Sequence, residues 1–258
     1  MCIEVYEKYK SHIPTYFSNY KYDGHGSLAL PLPPDSPALN EVIEIFKATG
    51  DFPTLFSRVH YTKKEIDNAE FFQLIEPFPL ELEGTTAAHY GTQYDGRCSH
   101  CGFGGNRVGS IFIDKKFLKT SKIGNLFPDF FVAEDVRVLI ETNKFTGIAF
   151  GEPIQDYKGR DMSLYYSAHI EHILPALSET TFLESSGFPC QYCGHETVYL
   201  RSDLQYKKEA LMDAKDFNLT REHLDNWGLR SIIVSARVRN LFKEHKTKVG
   251  RFIPVAIL

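Results

Sequence analysis

The stretch Cys98-Ser99-His100-Cys101-Gly102 decides how this chain is read, because it returns as Cys190-Gln191-Tyr192-Cys193-Gly194. Two residues between the thiols let one turn aim both sulfurs at one ion. The glycine after the second thiol tolerates the positive φ that such a curl needs. Two knuckles of this kind supply four thiolates, the closed tetrahedral set of a structural zinc site. Cys98, Cys101, Cys190 and Cys193 are therefore the candidate metal ligands, and Zn2+ is the expected cofactor in a structural role. The competing reading is two unrelated thiol pairs, buried or redox-active. A redox pair follows a strand and opens a helix, whereas Gly102-Phe103-Gly104-Gly105 and Gly194-His195-Glu196-Thr197 are poor helix openings. The remaining cysteine, Cys2, reads as a free terminal thiol without a role.

The chain beyond the second knuckle echoes the chain beyond the first. Residues 130–150 align with 232–252 at a constant offset of 102 (232 − 130), with identities at Val132, Val136, Arg137, Leu139, Lys144 and Phe150. Each half reads as knuckle, spacer, short strand, helix, short strand, ending near a proline (Pro153, Pro254). The alternative is two generic strand–helix–strand pieces; a knuckle ahead of both copies favours duplication. A pseudo-twofold would then bring together cysteines 89 positions apart (190 − 101). The expected fold is α+β: pseudo-duplicated strand–helix–strand units joined by a zinc-ribbon-like pair of Cys-x-x-Cys knuckles. Val136 and Leu139, with Val238 and Leu241, are expected to face inward.

The expected organisation is an N-terminal α+β region over 1–97, a first repeat over 98–154, a connecting segment over 155–189 and a second repeat over 190–258, together one compact unit. Within the first region, a short helix is read near Glu4–Ser11. A second helix begins after Ser36-Pro37, with Leu39, Val42, Ile43 and Phe46 at helical spacing and Gly50 as its stop. A short strand is read near Thr54–His60. A helix over about 63–73 opens with the capping box Thr62-Lys63-Lys64-Glu65 and is broken at Glu76-Pro77. Strands and loop fill Leu80–Tyr94, and Val108–Ile113 reads as one strand.

At 258 residues the chain can bury a sizeable core. With 43% apolar and 24% charged residues its composition is ordinary for a globular protein. The net charge of −4 argues against a dedicated nucleic-acid binder. No apolar run reaches the length of a membrane span, so no membrane partner is expected. The N-terminus reads as lacking an export signal; with four metal-binding thiols this places the protein in a reducing cytoplasm.

Catalytic residues are expected to be absent. Asp161, Glu171 and Glu179 form no acid–base constellation, and no small-molecule substrate is implied. His169 and His172 would share a helix face but lack a His-Glu-x-x-His context. His100 and His195 flank the knuckles, where each could replace a thiolate or hydrogen-bond one. Arg237, Arg239, Lys243, Lys246, Lys248 and Arg251 form a local basic tract, most simply a solvated helix face and loop.

The knuckles, the ending Ile232-Ile233-Val234-Ser235 with Arg251–Val255, and the segment Tyr61–Glu65 with Ala69–Phe72 resemble the double-CXXCG-motif proteins. These occur as paralogues in myxobacteria and in other bacteria. The resemblance spans roughly residues 60–258. Some members are immunity proteins of contact-dependent swarming-inhibition toxin systems. The resemblance implies a non-catalytic protein that binds a cognate toxin made by the same cell, with the four cysteines as metal ligands. Abundant aromatics and an acidic balance agree with an interface to a basic toxin. Tyr20 and Tyr22, outside the resemblance, are the first guesses for a partner surface. The alternative is a zinc-ribbon nucleic-acid-binding or transcription-associated module, for which the basic tract is the one supporting feature. A zinc-stabilised enzyme is a third reading that no residue pattern supports.

Overall fold

The computed structural model describes residues 2–6, 27–31, 36–49, 54–56, 59, 61–75, 92–113, 122–126, 129–158, 164–224, 230–247 and 249–258. Expectations at Tyr20, Tyr22, Gly50, 76–91, Asp161 and Lys248 lie outside these residues. The chain divides into two compact units, Met1–His60 with Arg201–Asp203, and Tyr61–Leu200 with Leu204–Leu258.

The smaller unit is a three-stranded antiparallel sheet with β1 (Cys2–Tyr6) between β2 (Ser27–Pro31) and β3 (Thr54–Phe56). Of the helix expected near Glu4–Ser11, Glu4–Tyr6 belong to a strand and residues 7–11 lie outside the described ones; Ile3, Val5 and Tyr6 suit a pleated surface better than a helical turn. Helix α1 (Pro37–Thr49) begins at the expected proline and buries Val42. The carboxylate of Asp203 accepts a hydrogen bond from the Val59 N–H at 2.8 Å, which fastens Arg201–Asp203 to this unit.

The larger unit begins with α2 (Lys63–Asn68). Its capping box forms as expected: Glu65 N–H donates to Thr62 Oγ1 and Thr62 N–H donates to the Glu65 carboxylate. The helix ends at Asn68 rather than near 73, because Phe71–Ile75 is strand β4, buried at its three central positions. An apolar run covered on both faces has no period to tell strand from helix.

Next in chain order are β5 (Gln93–Asp95), β6 (Asn106–Val108), β7 (Phe112–Ile113), β8 (Ile123–Leu126), β9 (Asp129–Ala133), α3 (Glu134–Thr142), β10 (Ile148–Pro153) and β11 (Gln155–Asp156). Then come β12 (Tyr165–Ile170), β13 (Leu183–Ser185), β14 (Val198–Leu200), β15 (Gln205–Tyr206), a 3-10 turn (Lys208–Leu211), β16 (Phe217–Leu219), β17 (Ile232–Ser235), α4 (Ala236–Glu244), β18 (Arg251–Pro254) and β19 (Ala256–Ile257). The fold is mixed α+β, mostly sheet with few helices. The expected single strand over Val108–Ile113 is broken into β6 and β7 at Gly109, whose φ is +79°.

Both strand–helix–strand units form where the 102-residue offset puts them, as β9–α3–β10 and β17–α4–β18. The correspondence runs beyond them. One sheet has the order β8-β9-β12-β10 and the other β16-β17-β4-β18. In the first, Phe130 pairs with Ala168 and Ala133 with Tyr165; in the second, Ile232 pairs with Leu74 and Ser235 with Phe71. Each helix starts with the same outside bond: Glu134 N–H donates to Leu164 O (2.7 Å) and Ala236 N–H to Glu70 O (2.8 Å). Lys144 and Lys246, 102 apart, both close their helices at φ near +50°. The parallel pairs β7–β11 and β15–β19 complete the match.

The two halves exchange a strand. β4 comes from the first half, yet it lies between β17 and β18 of the second. β12 comes from the second half, yet it lies between β9 and β10 of the first. The stretch 155–189, which reads as a connection in sequence, thus carries the central strand of a sheet. Arg137 and Arg239 record the same exchange. Arg137 lies over the Tyr166 ring of β12 at 4.4 Å, and Arg239 over the Phe72 ring of β4 at 4.8 Å.

One apolar core draws on both sheets and both helices, with Phe72, Val132, Val136, Ile140, Val234, Val238 and Phe242 fully buried. Val136 and Val238 face inward as expected. Leu139 and Leu241 are only half-buried, and the next residues, Ile140 and Phe242, fill the core instead. A second cluster, including Leu204, Tyr206, Ile233 and Val255, covers the opposite face of the β16–β18 sheet.

Candidate metal centre

Each knuckle is the tip of a short antiparallel hairpin. β5 and β6 flank Cys98 and Cys101, and β13 and β14 flank Cys190 and Cys193. The tips are built alike. Cys98 N–H donates to Phe103 O (2.9 Å) and Gly102 N–H to Cys98 O (2.9 Å); Cys190 N–H donates to His195 O (2.7 Å) and Gly194 N–H to Cys190 O (2.8 Å). Gly102 and Gly194 take φ of +74° and +71°, the left-handed curl that their place after the second thiol implies. Arg97 braces the first tip, its Nε donating to Gly102 O at 2.7 Å.

The four sulfurs converge. Cys98 Sγ lies 3.9 Å from Cys190 Sγ, Cys101 Sγ lies 3.5 Å from Cys193 Sγ, and all four are within 4.8 Å of one another. A disulfide needs about 2.05 Å, so none is formed. Ligands at about 2.3 Å from a tetrahedral ion stand about 3.8 Å apart, a value that the 3.5 and 3.9 Å pairs bracket. The set fits a metal ion, with Cys98, Cys101, Cys190 and Cys193 as its four ligands. Among the described residues it is the one group of three or more metal-binding side chains this close together.

Four pairs at the centre join a residue to its own counterpart 92 positions on. Besides the two sulfur pairs, the Phe103 and His195 rings stack with centroids 3.5 Å apart and 3° between planes, and His100 meets Tyr192 at 4.7 Å. A twofold axis through a site produces this pattern, since each patch then contacts itself.

The histidines beside the knuckles are therefore packing residues at the centre, outside the four-sulfur group. Burial, with His223 nearby, lowers the His195 pKa and keeps the ring neutral. Neither His169 nor His172 sits in a helix; His169 is exposed on β12, and His172 Nδ1 lies 2.8 Å from Asn218 Oδ1. The stacked pairs went unread in the sequence, although the 92-residue offset of the knuckles also relates 100 to 192 and 103 to 195.

The thiols divide into two kinds. Hydrogen bonds from the Cys101 and His100 amides pull Cys98 down to about 6, and the Tyr192 and Cys193 amides likewise lower Cys190. Desolvation pushes Cys101 up to about 12. For Cys193 the His195 amide acts to lower the pKa, but desolvation and the Cys98 and Cys190 thiols outweigh it and the result is a raised value. Cys98 is thus prepared as a thiolate, Cys190 is shifted in the same direction, and the second cysteine of each knuckle is the one that must give up its proton when an ion binds.

The basic tract is partly consumed by the fold. Arg239 is buried and pairs with Asp67 at 3.3 Å; Lys243 reaches the same carboxylate at 3.9 Å; Arg237 pairs with Asp216 at 3.3 Å. No helix among the described residues is long and apolar enough to cross a membrane. No protein-family model and no curated protein matches the chain.

Proposed function

We propose that this protein is a non-catalytic immunity protein that binds and neutralises a cognate toxin in the cytoplasm, with one structural zinc ion holding its binding surface in shape. The observation that carries the reading is the convergence of four cysteines from opposite halves, all sulfurs within 4.8 Å. Four thiolates close a tetrahedral sphere and leave no position for an activated water, so zinc there supplies shape rather than chemistry. A tetrahedral all-sulfur set suits zinc or iron; zinc is preferred because a structural tie needs no redox change. The hairpin-tip knuckles then form a zinc-ribbon-like pair. The toxin partner is supported by the resemblance to double-CXXCG proteins, and the net charge of −4 suits a basic partner. The nucleic-acid alternative leaned on the basic tract, of which Arg239 is turned into the core.

The test is co-expression with the toxin encoded beside this gene. Cells should survive with the wild-type protein and die with a Cys190→Ser variant. Death of cells holding soluble, zinc-loaded wild-type protein would defeat the reading. So would turnover of a substrate by the purified protein.

A further inference from the structure

The two knuckle hairpins share a scaffold, so what differs between them is not required by the fold. The second carries Phe188 where the first has Gly96, and Tyr192 where the first has His100. Phe188 is 86% exposed and Tyr192 67% exposed. A large apolar side chain this exposed contributes little to stability, and two on one metal-centred tip make a surface feature in need of a partner. Charge differs in the same way. Over the matched stretches, residues 184–200 carry Glu184 and Glu196 and no Lys or Arg, whereas residues 92–108 carry Arg97 and Arg107 against Asp95 alone. Glu184 is exposed, and the Glu196 carboxylate accepts from Gly187 N–H, next to Phe188.

We propose that the second hairpin, with Phe188 and Tyr192 as anchors and Glu184 and Glu196 on the same element, is the docking face for a basic protein surface. This rests on the toxin reading above and assigns that partner a place and a charge. Aromatic anchors supply the binding free energy of an interface, and a hairpin with two carboxylates and no cation steers a basic partner toward them. The anchors sit on a braced element, since Tyr192 lies between Cys190 and Cys193 and its ring meets His100 at 4.7 Å; they lose little freedom on binding.

The experiment titrates the zinc-loaded full chain with the purified product of the adjacent toxin gene, its activity removed by mutation. Wild type is compared with Phe188→Ser, Tyr192→Ser and the charge reversal Glu184→Lys. Each aromatic change should weaken binding by roughly 30-fold or more, with melting temperature and zinc content unchanged. The charge reversal should slow association and flatten its salt dependence. On the wild-type protein, toxin should protect amides of 183–200 from hydrogen exchange, a measurement that does not depend on how the variants fold. Undiminished binding by the aromatic variants, without protection at 183–200, would overturn the docking face and leave the toxin reading standing. No binding by wild type would overturn both. Self-association of wild type that Phe188→Ser abolishes would assign the face to a second copy of the chain and overturn the basic partner.

Discussion

Asp216 is a single carboxylate on which both halves of the larger unit rely, and Asp216→Ala should be among the most damaging substitutions outside the metal centre. Its Oδ2 accepts from Thr146 N–H (3.0 Å) and Thr146 Oγ1 (3.2 Å), in the turn after α3. Its Oδ1 accepts from Ser235 Oγ (2.8 Å), the hydroxyl that caps α4. The Arg237 guanidinium adds an ion pair, but that side chain is 63% exposed, so the pair is worth at most about 1 kcal/mol. The hydrogen bonds dominate, because the Asp216 carboxylate is itself buried. A hydrogen bond to a charged group contributes about 1.5–3 kcal/mol, and removing the acceptor strands the Thr146 N–H and the Ser235 hydroxyl together. The expected loss is about 3–5 kcal/mol, a large part of the roughly 5–15 kcal/mol typical of a folded domain. Urea unfolding of the metal-loaded protein, followed by circular dichroism, measures it. Asp216→Asn should lose roughly half as much, because its NH2 cannot accept from Thr146. A double-mutant cycle with Thr146→Ala should give a coupling of at least about 1 kcal/mol. A loss below about 1 kcal/mol for Asp216→Ala would refute the argument that this carboxylate links the halves.

Cys190→Ser should bind less than one zinc per chain by elemental analysis and melt roughly 10 °C lower or more, since metal affinity is folding free energy here. Near pH 7.5 zinc binding should release fewer than four protons, chiefly from Cys101 and Cys193, because Cys98 already favours the thiolate and Cys190 is shifted the same way. Calorimetry in buffers of different ionisation enthalpy counts them, and a value near four would contradict the two kinds of thiol. Gly147→Ala should cost more than the roughly 1–2 kcal/mol of a strained backbone alone, because a Cβ there would stand 2.1 Å from Phe217 O at φ +85°. Gly187→Ala, at φ +70° with nothing within 4 Å, is the control that pays only the backbone cost.

The metal cluster was legible because it depends on local spacing. Two residues between thiols and a glycine after them specify a knuckle wherever it occurs, and two knuckles need each other to complete a tetrahedron. The strand–helix–strand units were legible for a related reason, since identities at Val136 and Arg137 preserve one helix face and its stacking arginine. The strand exchange was not. Phe71–Ile75 and Tyr165–Ile170 share almost no residue identities, because a central strand needs only apolar bulk and backbone pairing. Compensation hid a further match: Lys122 pairs with Asp135 at 2.9 Å where the second half pairs Asp216 with Arg237, so the charges are reversed at equivalent places. An identity count misses a swap that keeps the attraction and changes both letters. Leu139 and Leu241 were misread because a nine-residue helix against two sheets buries the residues one step further round.

The exchanged strands also set a timetable for synthesis. β4 is complete at Ile75, but its first neighbour starts at Ile232, 157 residues later (232 − 75). At about 5–20 residues per second, the ribosome needs roughly 8–30 s to make that neighbour. Throughout that interval Phe71-Phe72-Gln73-Leu74-Ile75 has both hydrogen-bonding edges open, the condition that invites pairing with another chain. The first half cannot finish early either, since its own sheet waits for Tyr165–Ile170, and the knuckle at Cys98 waits for the thiols at Cys190 and Cys193. The nascent chain therefore carries half a metal site until Cys193 emerges and an unpaired strand until Ile232 does.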